Sequence, residues 1–132
     1  MCQVLKKENI SLENNDLLKN NIVEGILDKK GENIVVLNLE KVGNAFCNDF
    51  IICHADSNTQ VNAIADSVEK KVLDNLKLKV HHREGLSNAI WVLLDYNDVL
   101  VHIFQHEYRD YYKLEELWGD ARITKVEESF NF

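Results

Sequence analysis

Four groupings of residues in this chain have the types and spacing that chemistry requires. His102 and His106 lie four positions apart, which on a helix would put two imidazoles on one face as metal ligands. Val99–Phe104 has the apolar, β-branched character of a strand, however, and no cysteine or carboxylate set completes the site, so no metal is assigned. His81 and His82 precede Arg83 and Glu84 and invite an acid–base pairing. Neighbours on a strand point to opposite faces, which favours a polar edge strand instead. Asp95 and Asp98 resemble a metal-binding carboxylate pair, but they flank a turn, where aspartate has its own hydrogen-bonding reasons to sit. Cys47 and Cys53 stand in no motif that identifies a partner base, and Cys53 lies in an apolar run, where cysteine serves as a small hydrophobe. GxGxxG, GxxxxGKS/T and GxSxG do not occur, so phosphate cradles and nucleophile elbows have no support. No catalytic residue and no cofactor is assigned.

The last third is different in kind. Trp91, Tyr96, His102, Phe104, His106, Tyr108, Tyr111, Tyr112 and Trp118 crowd one stretch. Asp95, Asp98, Glu107, Asp110, Glu115, Glu116 and Asp120 lie among them. Aromatic residues are enriched at interface hot spots, and an apolar patch rimmed with acids suits a basic protein partner. A packed core beside a solvated face produces the same composition, so both readings stand at this point.

The chain that must position these groups has 132 residues, the length of one domain. Lysine and arginine total 15 against 22 aspartates and glutamates, a net charge of −7, with 45% of residues apolar and 28% charged. That balance is expected of a soluble globular protein and not of a disordered chain. The acidic surplus disfavours a general or sequence-specific nucleic-acid binder. No apolar run reaches the length needed to span a bilayer, and the opening residues lack a signal peptide's apolar stretch. Three cysteines without a CxxC spacing argue against a disulfide framework, so the expected compartment is the cytoplasm.

Residues 1–14 are polar and are expected to be a flexible leader, with residues 15–132 as a single domain. Asn14 or Asn15 caps a helix over 16–30, whose apolar positions are Leu17, Leu18, Ile22, Val23, Ile26 and Leu27. Ile34–Leu39 and Phe50–Cys53 read as buried strands, with a loop at Gly43 and Asn44 between them. Val61, Ile64, Ala65, Val68, Val72 and Leu76 form one face of a helix over 58–76, behind capping candidates at 55–58. A weaker strand is expected around 78–81. Trp91–Tyr96 and Val99–Phe104 form an antiparallel hairpin about Asn97-Asp98. One or two short helices follow and end at Gly119. The order α-β-β-α-β-β-β-α describes a single layered α/β domain with a mixed five-stranded sheet and flanking helices.

The ordered residues then become distinctive. Gln60-Val61 and Ala63-Ile64-Ala65 are followed by Glu84-Gly85, by Ala89-Ile90-Trp91-Val92-Leu93-Leu94-Asp95-Tyr96, and by Asp98-Val99 and Val101-His102-Ile103-Phe104. Arg109, Tyr112, Leu114-Glu115, Leu117-Trp118 and Asp120 complete the series. Over roughly 16–126 this pattern resembles the ribosomal silencing factor family, also called iojap-like, most strongly over 84–120. The resemblance implies a non-enzymatic translation regulator. Such proteins bind the large ribosomal subunit through large-subunit ribosomal protein fourteen and sterically block joining of the small subunit when nutrients are scarce. It also implies a nucleotidyltransferase-like core without its active site, and homodimers in isolation. Two departures are visible. His54-Ala55 stands where the family has Ser-Gly, and Asn97 stands where the hairpin turn often has glycine, a replacement that the left-handed conformation tolerates.

Under this resemblance the expected contact surface comprises Trp91, Asp95, Tyr96, Asp98, His102, Phe104, Arg109, Tyr112 and Trp118. Trp91, Leu93 and Asp95 share one face of their strand, and Val92, Leu94 and Tyr96 share the other. Leu100, His102 and Phe104 share a face of the returning strand. Which set packs on the helices and which meets a partner is open. Arg109 has a bland alternative, a surface pairing with Glu107 or Asp110. Two rival functions also stand: a diverged nucleotide-binding or nucleotidyltransferase-like enzyme, motivated by Asp95 and Asp98, and a large-subunit assembly factor using the same surface.

Overall fold

Leu18, Ile22, Val23 and Ile26 repeat at helical spacing and form the buried stripe of the first helix, α1 (Gln3–Asp28). The computed structural model describes residues 3–39, 49–112 and 122–125, with side chains over 16–39 and 49–109. α1 starts at Gln3 instead of near residue 16. No glycine or proline interrupts positions 3–24, so nothing in the backbone forces a start at the asparagines. The helix closes through Lys30, at φ 61°, and the Gly31 N–H donates to the Ile26 carbonyl at 2.9 Å.

Strands β1 (Glu32–Asn38) and β2 (Asp49–Ala55) follow as an antiparallel pair. The predicted loop at Gly43 and Asn44 lies outside the described residues. Helix α2 (Asn58–Leu76) has the predicted bounds, for local reasons. The Ser57 hydroxyl accepts the Gln60 N–H at 3.1 Å, and Lys77 at φ 58° ends the helix. Its buried residues Val61, Ile64, Ala65, Val68 and Val72 are five of the six predicted apolar positions, and the sixth, Leu76, is partly buried against the same core. α1 packs tightly on it: a Cβ on Gly25 would stand 2.8 Å from the Val68 Cα.

The weak strand is β3 (His82–Glu84), displaced from the predicted 78–81. It forms where a partner exists, since His82 pairs with Asp95 and Glu84 with Leu93, while Leu78 remains exposed in the approach. β4 (Trp91–Asp95) and β5 (Val99–Gln105) are the predicted hairpin, with Asn97 at φ 70° in its turn. Helix α3 (His106–Tyr112) follows directly. The expected helix over 114–118 lies outside the described residues.

The five expected strands form one mixed sheet, and β6 (Arg122–Lys125), unmarked by any apolar run, adds a sixth beside β1. The strand order is β3-β4-β5-β2-β1-β6. β2 and β5 run parallel, and the other pairs are antiparallel. One sheet face packs on α1 and α2 in a core that includes Val92, Leu94, Tyr96, Val99, Val101 and Ile103. The other carries a second cluster of Val35, Leu37, Leu39, Phe50, Ile52, Leu100 and Phe104.

Candidate functional site

Strand alternation sets the site. Along β4, Val92 and Leu94 are buried on the helix side, and Trp91, Leu93 and Asp95 are half-buried on the second face. This settles which side of the hairpin is covered by α1 and α2. Register then arranges the second face in rows, because residues directly opposite each other in a sheet share a face. Trp91 lies opposite Phe104, Phe104 beside His54, and His54 opposite Glu32. The next row runs Glu84, Leu93, His102, Ile52, Val35, and the third runs His82, Asp95, Leu100, Phe50, Leu37.

Accessibility falls along each row toward the sheet centre. β3 is exposed, β4 is half-buried, and the β5 and β2 residues are buried. The accessible part is therefore a margin of Trp91 and Leu93 bounded by Glu84, Asp95 and the exposed turn residue Asp98. His82 Nε2 lies 2.8 Å from Glu84 Oε1 on the same edge. Asp95 Oδ1 accepts the Asn97 N–H at 2.7 Å, the turn-forming role of an aspartate. Gly85 brings the preceding loop against β4. It has φ +83°, and a Cβ there would stand 2.1 Å from the Trp91 carbonyl oxygen.

Beneath the margin lies an aromatic cluster. Trp91 stacks on Phe104 with ring centroids 5.1 Å apart, and its indole N–H donates to His102 Nδ1 at 3.0 Å. His102 meets Phe50 edge-on at 4.6 Å. Burial holds the His102 imidazole down at about 4, from an ordinary 6.5, so the ring is neutral near pH 7. With Nδ1 accepting, its proton sits on Nε2, which is buried without a hydrogen-bond partner.

The nine expected contact residues thus divide. Trp91, His102 and Phe104 come together, with Asp95 on the same face, but His102 and Phe104 are buried and lie under the surface rather than on it. Asp98 is exposed. Tyr96 faces the opposite way, into the helix-side core, so no single surface presents it with Trp91. Its hydroxyl is buried without a partner, and burial followed by the Glu69 charge raises its pKa. Arg109 is buried and reaches inward, donating to the Asn33 carbonyl and, at 3.0 Å, to His54 Nδ1. Tyr112 lies in the last turn of α3, with its side chain outside the described set, and Trp118 lies outside the described residues.

Leu93, Glu84 and His82 were missed as members of this margin. Alternation with Trp91 marked Leu93, whereas Glu84 and His82 join through β3 register, which leaves no local signal.

The other chemical candidates are placed as follows. His106 stacks on His54 at 4.5 Å and does not converge with His102. Among the described residues no group of three or more histidines, cysteines, aspartates or glutamates is arranged to hold a metal. Burial raises the Cys53 thiol to about 12, with the Arg109 charge opposing, so little thiolate exists at neutral pH.

Comparison with known proteins agrees with this architecture. The family model described as "Ribosomal silencing factor during starvation" matches residues 12–131. A protein of Halalkalibacterium halodurans named "Ribosomal silencing factor RsfS" is 42% identical over 105 residues, covering 80% of this chain and 88% of its own. The protein of the same name in Bacillus subtilis is 39% identical over 104 residues, covering 79% and 86%. A crystal structure of a Chromobacterium violaceum protein superposes with a TM-score of 0.72 at 36% identity, over 77% of this chain and 83% of that one. A Bacillus halodurans structure gives 0.69 at 37% identity, over 83% and 96%. With the family model matching most of its length and relatives near 40% identity, this chain belongs to the ribosomal silencing factor family, whose members are named ribosomal silencing factors.

Proposed function

We propose that this chain binds the large ribosomal subunit through large-subunit ribosomal protein fourteen and, by occupying that face, blocks joining of the small subunit. Translation is thereby silenced under nutrient limitation. The observation that carries the reading is the β3–β4 margin, where half-buried Trp91 and Leu93 are bounded by Glu84, Asp95 and Asp98. An apolar strip with an acidic rim complements a partner that is apolar at its centre and basic around it. Ribosomal proteins carry the basic surplus that RNA phosphates demand, which fits a rim of this sign. The action is steric, needs no cofactor and involves no catalysis. Family membership supports a regulatory role, and the chain's place of action in this reading is the cytoplasm. No helix among the described residues is long and apolar enough to cross a membrane. A homodimer in isolation belongs to the same reading.

The test is sedimentation of the purified chain with isolated large subunits, followed by addition of small subunits. Co-sedimentation with fewer joined ribosomes is expected. A folded chain that leaves joining unchanged overturns the reading. Tighter binding to precursor than to mature large subunits would reassign it to assembly.

A further inference from the structure

Position 102 is a costly place for an imidazole. It lies in the middle of β5, between Leu93 on β4 and Ile52 on β2, with Leu100 and Phe104 on the same face of its own strand. All four neighbours are apolar. Nδ1 accepts the Trp91 N–H, while Nε2 is buried with no hydrogen-bond partner. One bond is made and another forgone, so the pair adds little to folding. Leucine at 102 with phenylalanine at 91 would fill similar space and leave no polar atom to satisfy.

What the pair supplies is orientation. Stacking on Phe104 at 5.1 Å constrains the plane of the indole. Stacking alone tolerates a flip of the ring, whereas a bond from Nε1 to His102 does not, because the indole carries a single N–H. Trp91 is half-buried at the margin, so the bond fixes which ring edge faces outward. A surface held in its bound form before contact loses less conformational freedom on docking.

We infer that His102 is a positioning residue for docking: by accepting the indole N–H it holds Trp91 in the orientation that meets the partner. This rests on the β3–β4 margin being the docking surface, and assigns a role to a residue that lies beneath that surface.

The test uses the full chain labelled with nitrogen-15, with the Trp91 indole resonance identified through Trp91→Phe. His102→Leu removes the acceptor, and His102→Asn returns an oxygen near the place of Nδ1. His102→Leu is expected to shift the indole resonance and speed its exchange with solvent, while the melting temperature stays the same or rises. Its affinity for large subunits is expected to fall about tenfold, and His102→Asn to restore both the resonance and the affinity. Wild-type affinity in His102→Leu, despite a shifted resonance, overturns the inference, as does an affinity that His102→Asn fails to restore with the resonance native. If His102→Leu does not fold, Trp91→Phe removes the same bond, and undiminished binding by that variant overturns the inference. A wild-type chain that does not bind large subunits overturns the docking reading and this inference with it; that failure is distinguishable because it precedes any substitution.

Discussion

Two aromatic residues five positions apart illustrate how face decides role. Trp91 and Tyr96 look alike as hot-spot candidates, yet Trp91 lies half-buried on the open margin and Tyr96 lies inside the helix-side core. Trp91→Ala is therefore expected to weaken large-subunit binding by about 2 kcal/mol or more, roughly thirtyfold, with the chain still folded. Tyr96→Ala is expected to act on stability instead, at about 3–5 kcal/mol. Tyr96→Phe should unfold no more easily than wild type, because the deleted hydroxyl has no partner. Thermal melts beside sedimentation binding check all three. His102 adds a pH dependence. Its folded value is about 4 against 6.5 when free, so between those values the unfolded chain binds the proton and the folded chain does not. Its contribution is therefore complete above about pH 6.5, is lost as pH falls toward 4, and levels off below. The loss is on the order of 3 kcal/mol. Denaturant melts of wild type and His102→Leu across pH 4–7 should diverge with this sign; parallel curves would exclude it.

At the scale of elements, the loop before β4 places the tryptophan. Gly85 adopts φ +83° with its α-carbon pressed toward the Trp91 carbonyl. Gly85→Ala is expected to cost about 1–3 kcal/mol and to perturb Trp91, read as a lowered melting temperature and a shifted indole resonance. Elements whose cause is local were legible in the sequence. α2 has its N-terminal cap, among the candidates at 55–58, and its buried stripe written in nearby residues, whereas its left-handed end at Lys77 was given by the structure. β4 and β5 were legible through alternation and the Asn97-Asp98 turn. β3 and β6 were not, because each is short and becomes a strand only by pairing with a neighbour. α1 runs past its expected start because a polar composition does not by itself end a helix that lacks a glycine or proline.

For the whole molecule, the net charge of −7 acquires meaning only where it is placed. Glu84 and Asp98 are exposed beside the half-buried margin and meet no partner charge from α1 or α2 in the described contacts. Reversing both, Glu84→Lys with Asp98→Lys, is expected to slow association with large subunits about tenfold at low salt and much less at high salt. Stopped-flow binding across ionic strength measures this directly. An equal slowing at all salt concentrations would show that the rim acts by contact and not by steering.

Family, helix α2 and the hairpin follow from the sequence by itself, since they depend on residue order, alternation and capping over a few positions. The tertiary structure decided which hairpin face α1 and α2 cover, that Tyr96 and Trp91 part company, that Arg109 turns inward to Asn33 and His54, and that Glu84 borders Leu93. Each of these depends on register between strands and on packing across a sheet. Such contacts join residues far apart in the chain, and a one-residue slip in register would reverse every face.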